Sequence, residues 1–182
     1  MEEKQVIRKQ VFKFRKDATE EQIRMKSSQI VEKLLHMEEF ISADKVLAYM
    51  DFNHEVMTRT FIEKCWELGK KVAVPKVNGK EMTFYDLTSF EQLEDGYYHI
   101  PEPAYGEAVY WEDGFMLVPG VAFDVHRHRI GYGQGFYDKY LSRYPQLYKT
   151  AVAFEFQIFK EVPFENTDIL PDVLITEERI LI

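Results

Sequence analysis

The chain has 182 residues, which suits one domain with a sizeable core and is too short for two ordinary domains. Its residues are 46% hydrophobic and 30% charged, as in soluble globular proteins, and no apolar run reaches membrane-spanning length. The formal net charge of −8 argues against a protein that coats nucleic acid. A single cysteine, Cys65, excludes an internal disulfide, and the N-terminus lacks an apolar leader, so the sequence predicts a cytoplasmic protein.

The N-terminal segment predicts two helices. Apolar residues recur on one face of residues 4–14 and leave a basic face opposite them, which indicates a basic amphipathic helix. Thr19 and Gln22 have the spacing of a capping box, and the apolar stripe after them predicts a second helix that ends near His36.

The remainder of the chain predicts strands that alternate with helices. Two of the strands flank a helical segment that Gly69 should stop, which makes a βαβ unit. Such alternation favours an α/β fold with a mostly parallel sheet and helices on both faces. The predicted strands are residues 45–50, 71–75, 81–87, 115–120, 150–155 and 172–176, and the helix of the βαβ unit is residues 58–68.

Residues 131–135, GYGQG, alternate glycine with other residues directly before a predicted helix, and we call them the glycine turn. Glycine lets a ligand approach the main chain, so exposed N–H groups and the positive end of the helix can bind phosphate oxygens. Arg129 could neutralise further charge, and Asp138 is placed to hold magnesium between phosphates. The spacing is neither the dinucleotide fingerprint nor the Walker form. These residues together predict a nucleoside triphosphate site, although three glycines alone would favour a tight turn.

The same stretch resembles the signature of the 5-formyltetrahydrofolate cyclo-ligase family, also called 5,10-methenyltetrahydrofolate synthetase. A strand ending in Pro-Gly, a Phe-Asp, a basic turn and R-x-G-x-G-x-G-Y-Y-D stand here as VPGVAFDVHRHRIGYGQGFYD. The resemblance implies a three-layer α/β sandwich of the type shared with ribose-5-phosphate isomerase and CoA-transferase relatives, here as a single domain of residues 1–182. Further matches are Lys4, Arg8, Tyr49, Glu55, Val56, Thr58, Glu102 and Pro103.

The family's reaction is implied with the resemblance. It is the ATP- and magnesium-dependent cyclisation of 5-formyltetrahydrofolate to 5,10-methenyltetrahydrofolate, with release of ADP and phosphate through a phosphorylated formyl (iminium phosphate) intermediate. Phosphoryl transfer needs positioning and charge neutralisation more than a protein nucleophile. The expected partners are therefore two small molecules, the folate and ATP, without nucleic acid or membrane, and we expect a monomer.

Nucleotide and metal roles follow from the resemblance residue by residue. Asp138 would bind magnesium with Asp168 as the second carboxylate, although Asp172 could take that place. Lys4 and Arg8 would contact phosphates, or could be solvated helix charges. The expected nucleotide ligands are Lys4, Arg8, Arg129, Ile130, Gly131, Tyr132, Gly133, Gln134, Gly135, Phe136 and Tyr137, and the expected catalytic residues are Arg129, Tyr137 and Asp138.

Folate roles follow in the same way. Glu55 could accept two hydrogen bonds from the aminopyrimidine ring, and Phe52 could pack on that ring. Glu55 could instead offset the dipole of the helix that starts near Thr58. Phe136 stands where tyrosine is usual, and Met57 where relatives often carry a polar residue. The expected substrate-binding residues are Phe52, Glu55, Met57, Tyr132 and Phe136.

Two other functions fit parts of the pattern. A sugar-phosphate isomerase or an acyl-CoA-handling protein could use the same scaffold without ATP, since a fold alone does not choose a reaction. A nucleic-acid-binding module could use the basic residues 126–129, HRHR, but the acidic balance of the chain counts against it.

Overall fold

An eight-stranded sheet with helices on both faces forms the centre of the computed structural model, which describes residues 2–182. Residue 1, which the single-domain prediction includes, lies outside this range. The helices are α1 (Glu2–Asp17), α2 (Glu20–Leu35), α3 (Glu38–Ser42), α4 (Arg59–Glu67) and α5 (Phe136–Arg143). The strands are β1 (Lys45–Leu47), β2 (Lys71–Asn78), β3 (Glu81–Asp86), β4 (Leu93–Asp95), β5 (Pro101–Pro103), β6 (Ala108–Val109), β7 (Phe115–Val118), β8 (Ala122–Asp124), β9 (Arg129–Ile130), β10 (Tyr148–Val152), β11 (Ile158–Phe159), β12 (Val173–Ile175) and β13 (Ile180–Leu181).

The central sheet has the strand order β13-β12-β10-β7-β1-β2-β3-β6. Strands β12, β10, β7, β1 and β2 run parallel to one another, whereas β3 and β13 pair antiparallel. The chain adds β2 on one side of β1 and later adds β7 on the other side. This reversal makes a topological switch point between β1 and β7, which is where ligands bind in open α/β sheets.

Side chains of the central strands alternate between two cores. Phe115 and Leu117 of β7 belong to the core under α2, α3 and α4, whereas Met116 and Val118 belong to the core under α5. Successive residues of a strand point to opposite faces of its sheet, so a strand covered on both sides reads as a continuous apolar run. The predicted α/β fold, with its mostly parallel sheet between helices in three layers, is confirmed.

Local signals set the ends of the helices. Thr19 caps α2 by accepting the N–H of Gln22 at 3.2 Å, and the Gln22 side chain accepts the N–H of Thr19 at 3.0 Å. His36 follows as the C-cap, and Gly69 takes a positive φ of 73° after α4, as the sequence predicts. The sequence did not predict α3, the β4–β5 pair or the sheet β11-β8-β9.

Helix α1 packs on the small sheet β11-β8-β9. Ile7 and Val11 are buried against Val121, Ala122 and Ile130, and this third apolar cluster brings α1 beside the turn that leads into α5. The basic residues of α1 therefore lie near the carboxyl edge of the central sheet. No helix within residues 2–182 combines the length and the apolar character needed to cross a membrane.

Candidate active site

Four segments meet beside the switch point of the sheet. They are the loop 48–58 after β1, residues 119–121 after β7, the glycine turn, and α1. The hydrogen bonds between them join residues far apart in the chain, up to 123 positions for Arg8 and Gly131. The candidate site is thus assembled by tertiary packing around one locally encoded turn.

The glycine turn is held against α1 by Arg8. Its Nε donates to the carbonyl oxygen of Gly131 at 2.8 Å. Gly133 has φ 103°, and a Cβ at that position would lie 3.5 Å from the Arg8 guanidinium. Gly135 is the N-cap of α5 in the left-handed region, with φ 68°. The turn therefore exposes main chain beside a cation, in conformations that favour glycine.

Arg129 and Asp138 form a largely buried ion pair behind the turn. The Arg129 guanidinium donates to Asp138 Oδ1 at 2.8 Å and to the Pro119 carbonyl at 3.4 Å. Asp138 Oδ1 also accepts the N–H of Ile169 at 3.0 Å. Within residues 2–182 the buried Nε of Arg129 has no hydrogen-bond partner. A buried guanidinium with an unused donor can bind a further anion.

Asp168 lies close to this pair, because the main chain of Ile169 is bonded to Asp138. The Oδ2 atom of Asp168 accepts the N–H of Glu165 at 2.9 Å, and the Nζ of Lys4 lies 4.0 Å from it. Lys4 itself donates to Glu165 Oε1 at 2.9 Å. The Lys4 side chain therefore contacts the turn formed by residues 165–168 and not the glycine turn itself.

Asp172 lies at the opposite edge of the sheet. It precedes β12, where its Oδ2 accepts the N–H of Lys149 at 2.7 Å and pairs with the Nζ of Lys149 at 3.0 Å. Parallel strands have their amino ends at one edge and their carboxyl ends at the other. Of the two residues considered for the second metal carboxylate, the fold therefore brings Asp168, and not Asp172, beside Asp138.

Glu55 occupies a buried position in the loop after β1, with 5% of its surface exposed. Its Oε1 accepts the hydroxyl of Tyr132 at 2.8 Å, and its Oε2 accepts the N–H of Phe52 at 3.1 Å. Burial raises the pKa of Glu55 to about 7, against the lowering effect of Arg15 and of these hydrogen bonds. Glu55 is bonded within its own loop, and the N–H of Thr58, the N-cap of α4, is bonded to Asp51 Oδ1 at 2.9 Å.

Two aromatic rings flank the Tyr132 side chain. Its ring centroid lies 5.3 Å from that of Phe52 and 6.0 Å from that of Phe12, and the Phe12 ring is within 22° of parallel. Arg15 donates to the Tyr132 hydroxyl at 2.6 Å. Phe12 and Arg15 were not predicted as site residues. The sequence feature that could have indicated them is their helical spacing, which places them on the same face of α1 as Lys4 and Arg8.

Four of the predicted residues have clear packing roles. The N–H of Met57 donates to Ser27 Oγ at 2.9 Å, and its side chain packs on the core under α2 to α4. Phe136 and Tyr137 pack on the core under α5, and burial raises the pKa of the Tyr137 hydroxyl. Ile130 is buried in β9. Among residues 2–182, the aromatic contacts of Tyr132 are with Phe12 and Phe52 and not with Phe136.

The basic segment HRHR is organised by a buried aspartate. Asp124 accepts the N–H groups of His126 at 2.9 Å and His128 at 3.0 Å, and its second oxygen lies 2.9 Å from Nδ1 of His128. The His128 ring stacks on Phe164 with centroids 3.7 Å apart. With Arg129 paired to Asp138, the segment is a folded turn rather than an open basic surface.

The fold and the site define an α/β protein in which a glycine turn exposes main chain beside an arginine, next to a buried carboxylate. The sequence profile described as the 5-formyltetrahydrofolate cyclo-ligase family matches residues 1–177. The chain belongs to this family of enzymes.

Individual relatives agree with the family match. The solution structure of 5,10-methenyltetrahydrofolate synthetase from Aquifex aeolicus is 36% identical, covers 97% of this chain and 91% of that one, and superposes with a TM-score of 0.86. The 5-formyltetrahydrofolate cyclo-ligase of Escherichia coli K12 is 26% identical over 91% of this chain and 96% of its own. A Mycoplasma pneumoniae 5,10-methenyltetrahydrofolate synthetase, 21% identical, shares the fold with a TM-score of 0.77 over 96% of this chain and 98% of its own.

Proposed function

We propose that this chain converts 5-formyltetrahydrofolate to 5,10-methenyltetrahydrofolate, with ATP and magnesium as the source of the activating phosphoryl group. One observation carries the proposal: Tyr132 belongs to the glycine turn and is hydrogen-bonded to the buried Glu55. A phosphate-binding element and a carboxylate suited to a pterin ring are thus adjacent. Family membership and the likeness to the Aquifex protein support the same reaction.

The site divides into two halves. The phosphate half comprises Arg8, Arg129, residues 131–135, Asp138 and Asp168. The folate half comprises Phe12, Arg15, Phe52 and Glu55. Tyr132 is part of the glycine turn by sequence and contacts the folate half through its side chain.

The phosphate half fits a bound triphosphate on two grounds. The guanidinium of Arg8 borders the Gly133 main chain, and the buried Nε of Arg129 has no partner within residues 2–182. Magnesium fits Asp138 with Asp168, since it commonly takes one or two carboxylates together with phosphate oxygens. No group of three His, Cys, Asp or Glu side chains that could hold a metal ion occurs within the same range. Magnesium commonly completes its shell with water and phosphate oxygens. When bound, the ion would neutralise phosphate charge.

The folate half fits a pterin ring through Glu55. A carboxylate accepts two parallel N–H bonds, which matches the ring nitrogen and exocyclic amine of an aminopyrimidine. Phe12 and Phe52 border the Tyr132 ring, whose hydroxyl is bonded to this carboxylate, and they offer ring faces for stacking. Because Glu55 is buried, a hydrogen bond to it is stronger than one made in water.

The proposed chemistry proceeds in two transfers. The γ-phosphoryl group of ATP is transferred to the oxygen of the formyl group that N5 carries. ADP is released, and an iminium phosphate is formed. N10 then attacks the formyl carbon and loses its proton, and phosphate departs as the five-membered ring closes. Arg129 and the N–H groups of the glycine turn would stabilise the charge on the transferring group, which is the main protein contribution to phosphoryl transfer.

A spectrophotometric assay tests the proposal. Purified protein is mixed with 5-formyltetrahydrofolate, magnesium and ATP, and the ultraviolet absorbance band of the methenyl product is followed. We expect the band to grow only when ATP and magnesium are both present, with EDTA and ATP-free samples as controls. A flat trace with folded protein would overturn the reaction. Product formation without ATP would overturn the phosphoryl-transfer route.

We further propose that residues 1–182 act as one domain and as a monomer in the cytoplasm. All the residues of both halves come from one chain, and Cys65 is free and buried, as suits a reducing compartment. Sedimentation velocity at working concentration tests the monomer. A dimer that is required for activity would contradict it.

A further inference from the structure

Arg15 is a buried cation of α1 to which neither the sequence pattern nor the family resemblance assigned a role. We propose that Arg15 is a positioning residue that acts through the Tyr132 hydroxyl and keeps Glu55 in the ionised, hydrogen-bond-accepting form that the folate requires. This inference rests on the proposed function, since it assumes that Glu55 binds the substrate.

The hydrogen bonds between these three side chains have a defined direction. The NH1 group of Arg15 donates to the Tyr132 hydroxyl oxygen at 2.6 Å. A guanidinium can only donate, so that oxygen is the acceptor, and its own hydrogen is free for Glu55 Oε1 at 2.8 Å. The chain of bonds therefore ends on an oxygen that must accept. Every lone pair of an ionised Glu55 can accept a hydrogen bond. A protonated Glu55 carries a hydrogen of its own and would have to donate it to some other acceptor.

Arg15 opposes the environment around Glu55. Burial raises the pKa of Glu55, and Asp51 raises it further, whereas Arg15 is the largest lowering influence. The other titratable groups around this carboxylate are Tyr49 and Asp51 from the loop after β1, Tyr132 from the glycine turn and Tyr137 from α5. Arg15 is therefore the cation whose removal should shift the titration of Glu55 most.

The position of Arg15 is costly for a residue with only a packing role. The residue is 1% exposed, its NH2 reaches the Gly120 carbonyl at 3.3 Å, and its Nε has no partner within residues 2–182. A buried charge that is incompletely bonded stabilises a fold less than an apolar side chain of similar volume would. An effect on Glu55 gives this buried cation a role that packing alone does not.

The experiment compares Arg15→Met with Lys16→Met, which removes a positive charge from the exposed neighbour on the same helix. The dissociation constant of 5-formyltetrahydrofolate is measured without nucleotide from pH 5.5 to 9.5. For the wild type and Lys16→Met we expect binding to weaken below about pH 7. For Arg15→Met we expect the midpoint to rise by about one unit or more, with affinity at pH 7 reduced roughly fivefold or more and recovered at high pH.

A direct titration separates this effect from a loss of structure. Protein with ¹³C-labelled glutamate carboxyl groups is titrated by NMR without substrate, and the Glu55 resonance is assigned by its absence in Glu55→Gln. Arg15→Lys keeps the charge and should leave the Glu55 midpoint close to that of the wild type. Tyr132→Phe should raise it, and the combined Arg15→Met and Tyr132→Phe changes should raise it less than the sum of the two.

The outcomes distinguish the inference from the function on which it rests. An unchanged Glu55 midpoint in folded Arg15→Met overturns the role of Arg15. If Arg15→Met does not fold, an unchanged midpoint in Tyr132→Phe overturns it equally. If Glu55→Gln binds the folate as tightly as the wild type at every pH, the proposed folate site fails, and the NMR titration still decides whether Arg15 and Glu55 are coupled.

Discussion

The two halves of the site each contain a buried arginine, and the two arginines are used differently. Arg129 pairs directly with Asp138 at 2.8 Å, beside a glycine turn whose residues 132–135 are exposed. Arg15 is linked to Glu55 by hydrogen bonds through the Tyr132 hydroxyl and lies deeper, at 1% exposure. The first arrangement places positive charge beside an open surface, which we propose binds phosphate. The second adjusts the protonation of one enclosed carboxylate.

This difference predicts how substitutions should sort. Changes in the phosphate half should alter the dependence of activity on ATP and magnesium, because exposed phosphates interact with every cation nearby. Changes in the folate half should alter the pH dependence of folate binding, because a buried carboxylate titrates according to its immediate neighbours. A substitution in one half that produced the kinetic effect expected for the other half would contradict this division of roles.

Asp138→Asn should have the largest effect. Asparagine keeps an oxygen that can accept from Arg129 and Ile169, so the fold should remain, while the charge proposed to bind magnesium is lost. We expect kcat to fall about a thousandfold or more, the scale at which charge stabilisation is removed from phosphoryl transfer. The check is kcat across a magnesium titration, with thermal unfolding as the control for folding. A kcat within tenfold of the wild type would remove Asp138 from the metal site.

Glu55→Gln should have the next largest effect, on folate binding alone. Loss of a charged acceptor should weaken folate binding at pH 8 about 10- to 100-fold. The raised pKa, about 7, means that wild-type Glu55 is protonated below that pH. Wild-type binding should therefore weaken as the pH falls through 7, whereas binding by the variant should change little.

Calorimetric titrations with folate and with ATP check this prediction. ATP affinity serves as the internal control, since Glu55 belongs to the other half of the site. An equal loss of ATP affinity would show that the two halves respond as one unit. A wild-type folate affinity that is constant from pH 5.5 to 8.5 would show that Glu55 does not titrate in this range.

The phosphate half was largely predictable because most of it is continuous in sequence. Arg129, the glycine turn and Asp138 fall within ten consecutive positions, and the chemistry of glycine main chain, cation and carboxylate can be inferred from such a segment. The main parallel strands were also predictable, since each is an apolar run between turn residues. Only the choice between Asp168 and Asp172 needed the sheet topology, which places them at opposite edges.

The folate half was predictable only in part, because its contacts are long-range. Arg15 and Tyr132 are 117 positions apart, and they meet because α1 packs on the sheet β11-β8-β9. The strands of that sheet have two or three residues, too few to show an alternating pattern. Unless that sheet is predicted, the position of α1 cannot be inferred, and nothing local distinguishes Arg15, which directly follows the helix predicted for residues 4–14.

Gly135→Ala should have a moderate effect, and Gly69→Ala provides a matched control. Gly135 at the start of α5 has φ 68° and Gly69 after α4 has φ 73°, and each has open space where a methyl group would be added. Alanine in this region costs about 1–2 kcal/mol, so both variants should lose a similar free energy of unfolding. Only Gly135→Ala should also weaken ATP binding, by about five- to tenfold. The glycine turn would shift to relieve part of the strain, and its N–H groups would then be displaced from the phosphates.

Urea unfolding and ATP titration of the two variants measure both effects. Equal ATP affinities would indicate that the conformation of Gly135 matters to the fold and not to the nucleotide. If Gly135→Ala also weakens folate binding at constant pH, a change in the glycine turn affects the folate half through Tyr132. The two halves would then be less independent than their different contacts suggest.

Asp168→Asn should have the smallest effect, and it distinguishes the two edges of the sheet. The Oδ2 of Asp168 is already bonded to the Glu165 N–H and lies near Lys4, so its share in holding a cation should be partial. We expect the magnesium concentration for half-maximal rate to rise about three- to fivefold, a change of roughly 1 kcal/mol or less. Asp172→Asn should leave it unchanged, because Asp172 is paired with Lys149 at the amino edge. The reverse result would place the metal away from Asp138, and the glycine turn would then need another source of charge neutralisation for a triphosphate.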